Sequence, residues 1–109
     1  MDVLCDKRTA GTLIQVNGRM DATSAPDFEK QCVEVIEGGE STVVIDLSGL
    51  EYISSSGLRS LLASAKKAKA SKCTMRVTGL SGMVEEVFQV SGLRSVFSTA
   101  ATIEEAFAS

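Results

Sequence analysis

The chain has 109 residues, of which 44% are hydrophobic and 23% are charged, and its formal net charge is −3 at pH 7. This composition predicts one folded domain over residues 1–109 rather than a disordered segment. The acidity argues against a nucleic-acid partner, because neutralising phosphates requires a dense basic patch. With no secretory signal pattern and no apolar run of the ~20 residues that span a bilayer, we expect a cytoplasmic protein without membrane insertion.

The reactive side chains limit the kinds of catalytic and metal sites that this chain is expected to form. Histidine is absent, which removes the commonest general base and the commonest metal ligand. The three cysteines, Cys5, Cys32 and Cys73, are odd in number and form no CxxC pair, so they are expected to be reduced and to act as small hydrophobic residues. Neither GxGxxG nor a Walker sequence is present. We therefore expect no catalytic residue, no metal and no cofactor.

The first half of the chain alternates strand and helix patterns. Residues Val3–Lys7 and Thr12–Asn17 read as two strands of a hairpin. Residues Thr23–Ile36 change to a helical period, with Ser24 as the expected N-cap. Residues Ser41–Leu47 hold the run Val-Val-Ile, which is typical of a central strand buried on both faces.

The second half continues the alternation. A helix is expected after the serines at positions 54–56, followed by a strand over Thr74–Thr78 and a third helix opened by Ser81. A brief strand is predicted at Ser95–Phe97, and a last short helix begins at Thr102. The third helix is expected to turn four side chains inward: Met83, Val84, Val87 and Phe88. Together these elements predict an α/β domain with a mixed four- to five-stranded sheet and about four helices.

The segment YISSSGLRSLL, residues 52–62, places three serines before a glycine and an apolar helical run. One serine is enough to cap a helix, and Ser54 or Ser55 is the expected cap. The segment should lie at the carboxyl edge of the parallel strands, where sites tend to lie in α/β sheets. A phosphate on Ser56 would suit the helix N-terminus and add roughly −1.5 to −2 charge there. From the residues alone, capping serines and a modified serine both stay open.

Two segments resemble a known family. VVIDLSGLEYISSSGLRSLL, residues 43–62, is similar to the signature of the STAS family of anti-sigma factor antagonists, in which a strand ending in aspartate is followed by DSSGL. VNGRMDATSAP, residues 16–26, is similar to the end of the family's second strand, with Asp21 at its acidic position. The resemblance implies a single STAS-like domain whose phosphorylated serine, directly before the glycine, is Ser56, with Ser55 as the second candidate. Ser54 stands where the family has aspartate, which is a departure.

The resemblance also implies partners. Such antagonists bind an anti-sigma factor, often a serine protein kinase, and thereby free a sigma factor; the kinase separates the complex by phosphorylation and a PP2C-type phosphatase restores it. Asp21 has two open interpretations, a turn aspartate that accepts local N–H groups or a partner contact. We expect Gly57 to let another molecule approach closely. The expected partner-binding residues are Asp21, Ser54, Ser55, Gly57, Leu58 and Arg59.

The sequence also bears on two other functions, an adaptor and an enzyme. The loss of the acidic residue at position 54 makes an unphosphorylated STAS adaptor plausible, for example an accessory subunit of a lipid-transport ABC ATPase. An enzyme is disfavoured because a serine nucleophile needs a base, and Lys66 and Lys67 lie about two turns or more along the helix from the serines.

Overall fold

The computed structural model of the protein describes residues 1–108. Within them, a single sheet of five strands is accompanied by four α-helices and one 3₁₀ turn. In chain order the elements are β1 (Asp2–Arg8), β2 (Gly11–Met20), α1 (Ala25–Glu37), β3 (Thr42–Ile53), α2 (Ser55–Ala70), β4 (Thr74–Thr78), α3 (Gly82–Val90), the 3₁₀ turn (Leu93–Ser95), β5 (Ser98–Ala100) and α4 (Ile103–Ala108).

The strands lie in the order β1-β2-β3-β4-β5. The β1–β2 hairpin is antiparallel, whereas β2, β3, β4 and β5 pair in parallel. The predicted mixed sheet with about four helices is confirmed. The carboxyl ends of β2 and β3 therefore lie at the same edge of the sheet, and the chain leaves that edge to enter α1 and α2.

The two faces of the sheet carry separate cores. Ile14 and Ile45 belong to the larger core, which α1, α2 and α3 complete with Phe28, Leu61 and Phe88. Their neighbours Leu13 and Val44 point to the opposite face, where α4 covers them with the fully buried Ala106. Strand β3 is buried on both faces, as its apolar run predicts.

Strand β3 is longer than the sequence indicates. Its pairing with β2 continues beyond Leu47, the predicted end of the strand, through Gly49–Ile53 against Asn17–Met20. Register shifts interrupt this pairing, and Leu50 and Ile53 both enter the larger core although they are three positions apart. The irregular pairing removes the strict alternation by which a strand is recognised in a sequence.

The strand predicted at Ser95–Phe97 is wrong. Leu93–Ser95 forms a 3₁₀ turn, and the strand that pairs with β4 is Ser98–Ala100. Phe97 is buried by its ring contact with Phe88, at 5.6 Å between centroids, so its apolar character reflects core packing outside the sheet.

Two expectations about burial also need correction. Met83 was expected to face inward, but it is 42% exposed because α3 turns Val84 and Phe88 toward the core instead. All three cysteines are free, yet Cys5 is exposed on β1. Burial raises the pKa of the Cys32 thiol to about 12, so this cysteine is a packing residue and not a nucleophile.

Residues 1–108 contain no candidate membrane span and no candidate metal cluster. No helix there is both long and apolar enough to cross a membrane. The same residues contain no cluster of cysteine and carboxylate side chains that could hold a metal ion.

Candidate functional site at the start of helix α2

The residue that precedes α2 is hydrogen-bonded to the last residue of β2. The backbone N–H of Ser54 donates a hydrogen bond to the carbonyl oxygen of Met20 at 2.9 Å, and α2 begins at the next residue. The serine segment predicted to lie at the carboxyl edge of the sheet is therefore at that edge, beside the turn that leads from β2 into α1.

Of the three serines, Ser54 is the helix cap. Its backbone is extended, and its Oγ accepts a hydrogen bond from the Gly57 N–H at 3.1 Å, while its carbonyl oxygen accepts from the Leu58 N–H at 2.9 Å. Aspartate and serine are about equally good N-caps, so Ser54 can fill the capping position without a charge. The first turn of α2 consequently has no acidic residue.

The other two serines keep their hydroxyl groups available. Ser55 is exposed, and Ser56 is half-buried with its Oγ accepting a hydrogen bond from Arg59 Nη2 at 3.3 Å. The first backbone N–H groups of a helix have no partner within the helix, so this turn also presents positive partial charge. Arg59 is exposed, whereas Leu58 is half-buried against the larger core.

Gly57 has a different role from the one expected of it. The residue is buried, and a Cβ atom there would lie 2.7 Å from Ile53 Cγ1 and 3.1 Å from Met20 Sδ. The space that a side chain would fill is thus occupied by the chain's own strands and is closed to a visiting molecule. Glycine at this position lets α2 sit closely over the ends of β2 and β3.

Asp21 organises the turn between β2 and α1. Its Oδ1 accepts hydrogen bonds from the Ser24 N–H at 3.1 Å and the Thr23 N–H at 3.0 Å, and Ser24 Oγ accepts from the Asp21 N–H at 3.0 Å. Donation by these two backbone groups, Ser24 first, lowers the pKa of the Asp21 carboxyl below its usual range. Ser24 occupies the predicted N-cap position, but its side chain makes no cap bond to the helix because it bonds to Asp21 instead.

One feature near the site was not predicted from the sequence. The Arg19 guanidinium lies over the Tyr52 ring, 4.3 Å from its centroid, across the β2–β3 pair. This contact depends on the register of two strands that are distant in sequence, and no local pattern reports that register. Asp46, by contrast, is predicted to hold the chain that follows it by hydrogen bonds, and it is buried in β3, where it accepts hydrogen bonds from the Ser48 N–H and from Gln15 Nε2.

Comparison with known proteins gives a consistent picture. The family model of the STAS domain matches residues 3–106. BtrV of Bordetella bronchiseptica, whose description as an anti-sigma factor antagonist is provisional, is 33% identical over 108 residues, which span 99% of this chain and 93% of BtrV. The anti-sigma-B factor antagonist of Bacillus subtilis strain 168 is 27% identical over 106 residues, spanning 95% of this chain and 96% of that protein.

A solved structure agrees with these relatives in fold. The crystal structure of an anti-sigma factor antagonist from Mycobacterium paratuberculosis superimposes with a TM-score of 0.86 at 25% sequence identity. The match covers 96% of this chain and 89% of the other. The similarity thus extends along almost the whole chain, and the serine segment lies within it.

Proposed function

Because this chain belongs to the STAS domain family, we propose that it is a cytoplasmic anti-sigma factor antagonist. It binds an anti-sigma factor of the serine-kinase type through the start of α2 and so frees a sigma factor. Phosphorylation of Ser56 by that kinase ends the interaction, and a PP2C-type phosphatase restores it. The chain is the substrate and the switch, and it performs no catalysis itself.

The observation that carries this proposal is that the three serines have different structural roles. Ser54 alone caps α2, so a change at Ser56 leaves the cap bond to Gly57 in place. A phosphate on Ser56 would add roughly −1.5 to −2 charge on a turn that has no acidic residue of its own. A docked partner would meet this new charge while the helix beneath it stayed folded.

The proposed partner surface combines the first turn of α2 with the residues that directly follow β2 and β3. Ser55 and Arg59 are the exposed members on α2, with Leu58 half-buried beside them. Ser54 and Asp21 lie at the junctions with β3 and β2, where their hydrogen bonds fix the shape of the two turns. Gly57 contributes from below, by letting α2 approach Ile53 and Met20.

Binding to the anti-sigma factor encoded in the same genome tests the proposal. Ser56→Ala should bind whether or not kinase and ATP are present, whereas Ser56→Asp should bind at least about tenfold more weakly than the unmodified protein. Ser55→Asp is the matched control, because it adds the same charge one residue away. Equal affinities for Ser56→Ala and Ser56→Asp would contradict the proposal, and equal losses at both serines would assign the switch to charge on the surface in general.

Ser54 in place of the family's aspartate favours one alternative, an unmodified adaptor such as a subunit of a lipid-transport ABC ATPase. The intact mass of the protein from its own cells, followed by fragmentation, separates the two functions. A phosphate located on Ser56 supports the switch. A protein that stays unmodified in every growth condition, and that co-purifies with an ABC ATPase, supports the adaptor.

A further inference from the structure

Arg59 is placed to contact whatever Ser56 carries. The two residues are three positions apart on α2, which puts their side chains on the same face of the helix. In the unmodified protein Arg59 Nη2 already donates to Ser56 Oγ at 3.3 Å. A phosphate would replace this single neutral acceptor by three charged oxygens, which the planar guanidinium can meet with two parallel hydrogen bonds.

Other cations lie on the neighbouring elements, and Lys30 of α1 is exposed beside a hollow that it lines together with Ser60 of α2. Arg19 lies over the Tyr52 ring, and Lys67 pairs with Glu37 at 3.1 Å. Lys66 is about 15 Å along the helix axis from Ser56, at a rise of about 1.5 Å per residue. The carboxylates around this end include Asp21, which accepts two backbone N–H groups, the exposed Glu51, and Asp27 and Glu29 at the start of α1.

We propose that Arg59 is the residue that holds the Ser56 phosphate, as an ion pair within the chain's own helix. This inference rests on the phosphorylation of Ser56 proposed above. In the unmodified protein Arg59 is exposed and spends one N–H on Ser56 Oγ, so the other N–H groups of its guanidinium can meet a carboxylate of the partner. In the phosphorylated protein the same guanidinium is occupied by the phosphate, so modification removes a cation from the binding surface at the same time as it adds an anion.

The charge change that the partner meets follows from this pairing. The Arg59–Ser56 pair carries +1 before modification and roughly −0.5 to −1 afterwards. The donors of the guanidinium are also taken up by the phosphate, so a partner carboxylate loses its counter-ion and faces a like charge. Arg59 is therefore a positioning residue for the switched-off state.

Phosphorus NMR of the phosphoprotein tests the ion pair directly. Phosphoserine is installed at position 56 during synthesis, and its phosphorus shift is followed from about pH 4 to 9 at low ionic strength, a range centred on the ordinary second pKa of about 6. A neighbouring cation stabilises the dianion, so this pKa should be lower with Arg59 than in Arg59→Gln, by about 0.2 to 0.7 unit. Arg59→Lys should recover part of the difference, and Lys66→Gln, which removes a cation farther along the same helix, should titrate like the unsubstituted phosphoprotein.

The same phosphate pKa with Arg59 and with Arg59→Gln would overturn the inference. So would an equal shift from Lys66→Gln, because it would assign the effect to the general charge of α2. The phosphate does not come from the natural kinase in this experiment, so its outcome is independent of partner binding. Failure of the proposed function is recognised separately, by an unphosphorylated Ser56 in cells or by unchanged binding of Ser56→Asp.

Discussion

At Gly57 we expect the usual preference of a helix for alanine over glycine to be reversed. Alanine normally stabilises a helix relative to glycine by roughly 0.5 to 1 kcal/mol. Here the added Cβ would lie 2.7 Å from Ile53 Cγ1, so α2 would have to move away from the strand ends. We expect Gly57→Ala to lower the free energy of unfolding by about 1 to 3 kcal/mol in urea denaturation followed by circular dichroism.

Ser55→Ala is the matched control for this substitution. Ser55 is exposed in the same turn, and its replacement should change the free energy of unfolding by no more than about 0.5 kcal/mol. If Gly57→Ala proved as stable as the wild type or more stable, the close approach of α2 to β3 would not be the reason for glycine at this position.

For the three serines and their neighbours, the sequence predicts only part of the local structure. A cap at Ser54 or Ser55 is predictable because serine before an apolar helical run is a frequent cap. The choice of Ser54 depends on the extended backbone there and on its N–H bond to Met20 of another strand. The contact between Arg59 and Ser56 follows helical spacing, but the interpretation of Gly57 as an open approach failed because the neighbours that fill the space are distant in sequence.

Among the elements, the β2–α1 turn should be sensitive to acid. The Ser24 and Thr23 N–H groups lower the pKa of Asp21 in the folded protein, so the carboxylate stabilises the fold above the pKa of the unfolded chain, about 3.9. This contribution is lost as the pH falls through the lower, folded pKa. We expect Asp21→Asn to reduce the free energy of unfolding at pH 7, and the difference from wild type to shrink progressively below about pH 4.

Asparagine is the informative replacement because its Oδ1 can still accept the two backbone hydrogen bonds, so the difference reports the charge. Asp2→Asn, at an exposed position that begins β1, should leave the acid dependence of the wild type in place. A difference between Asp21→Asn and wild type that stayed constant from pH 7 to about pH 3 would mean that the turn does not depend on the ionised carboxylate.

The elements were easier to predict than their ends. The order of strands and helices follows from the change between helical and strand periods, which is strong in α1 and in the first half of β3. The end of β3 was missed because its pairing with β2 is irregular. Strand β5 was predicted three residues too early in the chain. Its own residues give little apolar signal because the strand is held by pairing with β4, whereas the neighbouring Phe97 gives a strong one.

Across the whole molecule, the sheet separates the face that carries the larger core and the proposed site from the face that α4 covers. Helices α1 and α2 lie on one face, and the start of α2 carries the serines. Helix α4 closes the other face over Leu13 and Val44, and the carbonyl oxygen of Ala106 accepts a hydrogen bond from Arg76 of β4 at 2.9 Å. A helix of this length is marginal alone, so it must be held by this packing.

Ala106→Asn should therefore destabilise the whole domain. The amide would be placed among Leu13 and Val44 without a partner, and we expect the free energy of unfolding to fall by about 1 to 3 kcal/mol in urea. Ala108→Asn is the matched control, since Ala108 is exposed in the same helix and its replacement should cost no more than about 0.5 kcal/mol. Equal stabilities for the two variants would mean that α4 is not packed on the sheet in solution. A loss confined to Ala106→Asn, with the affinity for the anti-sigma factor unchanged while the protein stays folded, would mean that α4 stabilises the domain without taking part in the proposed switch.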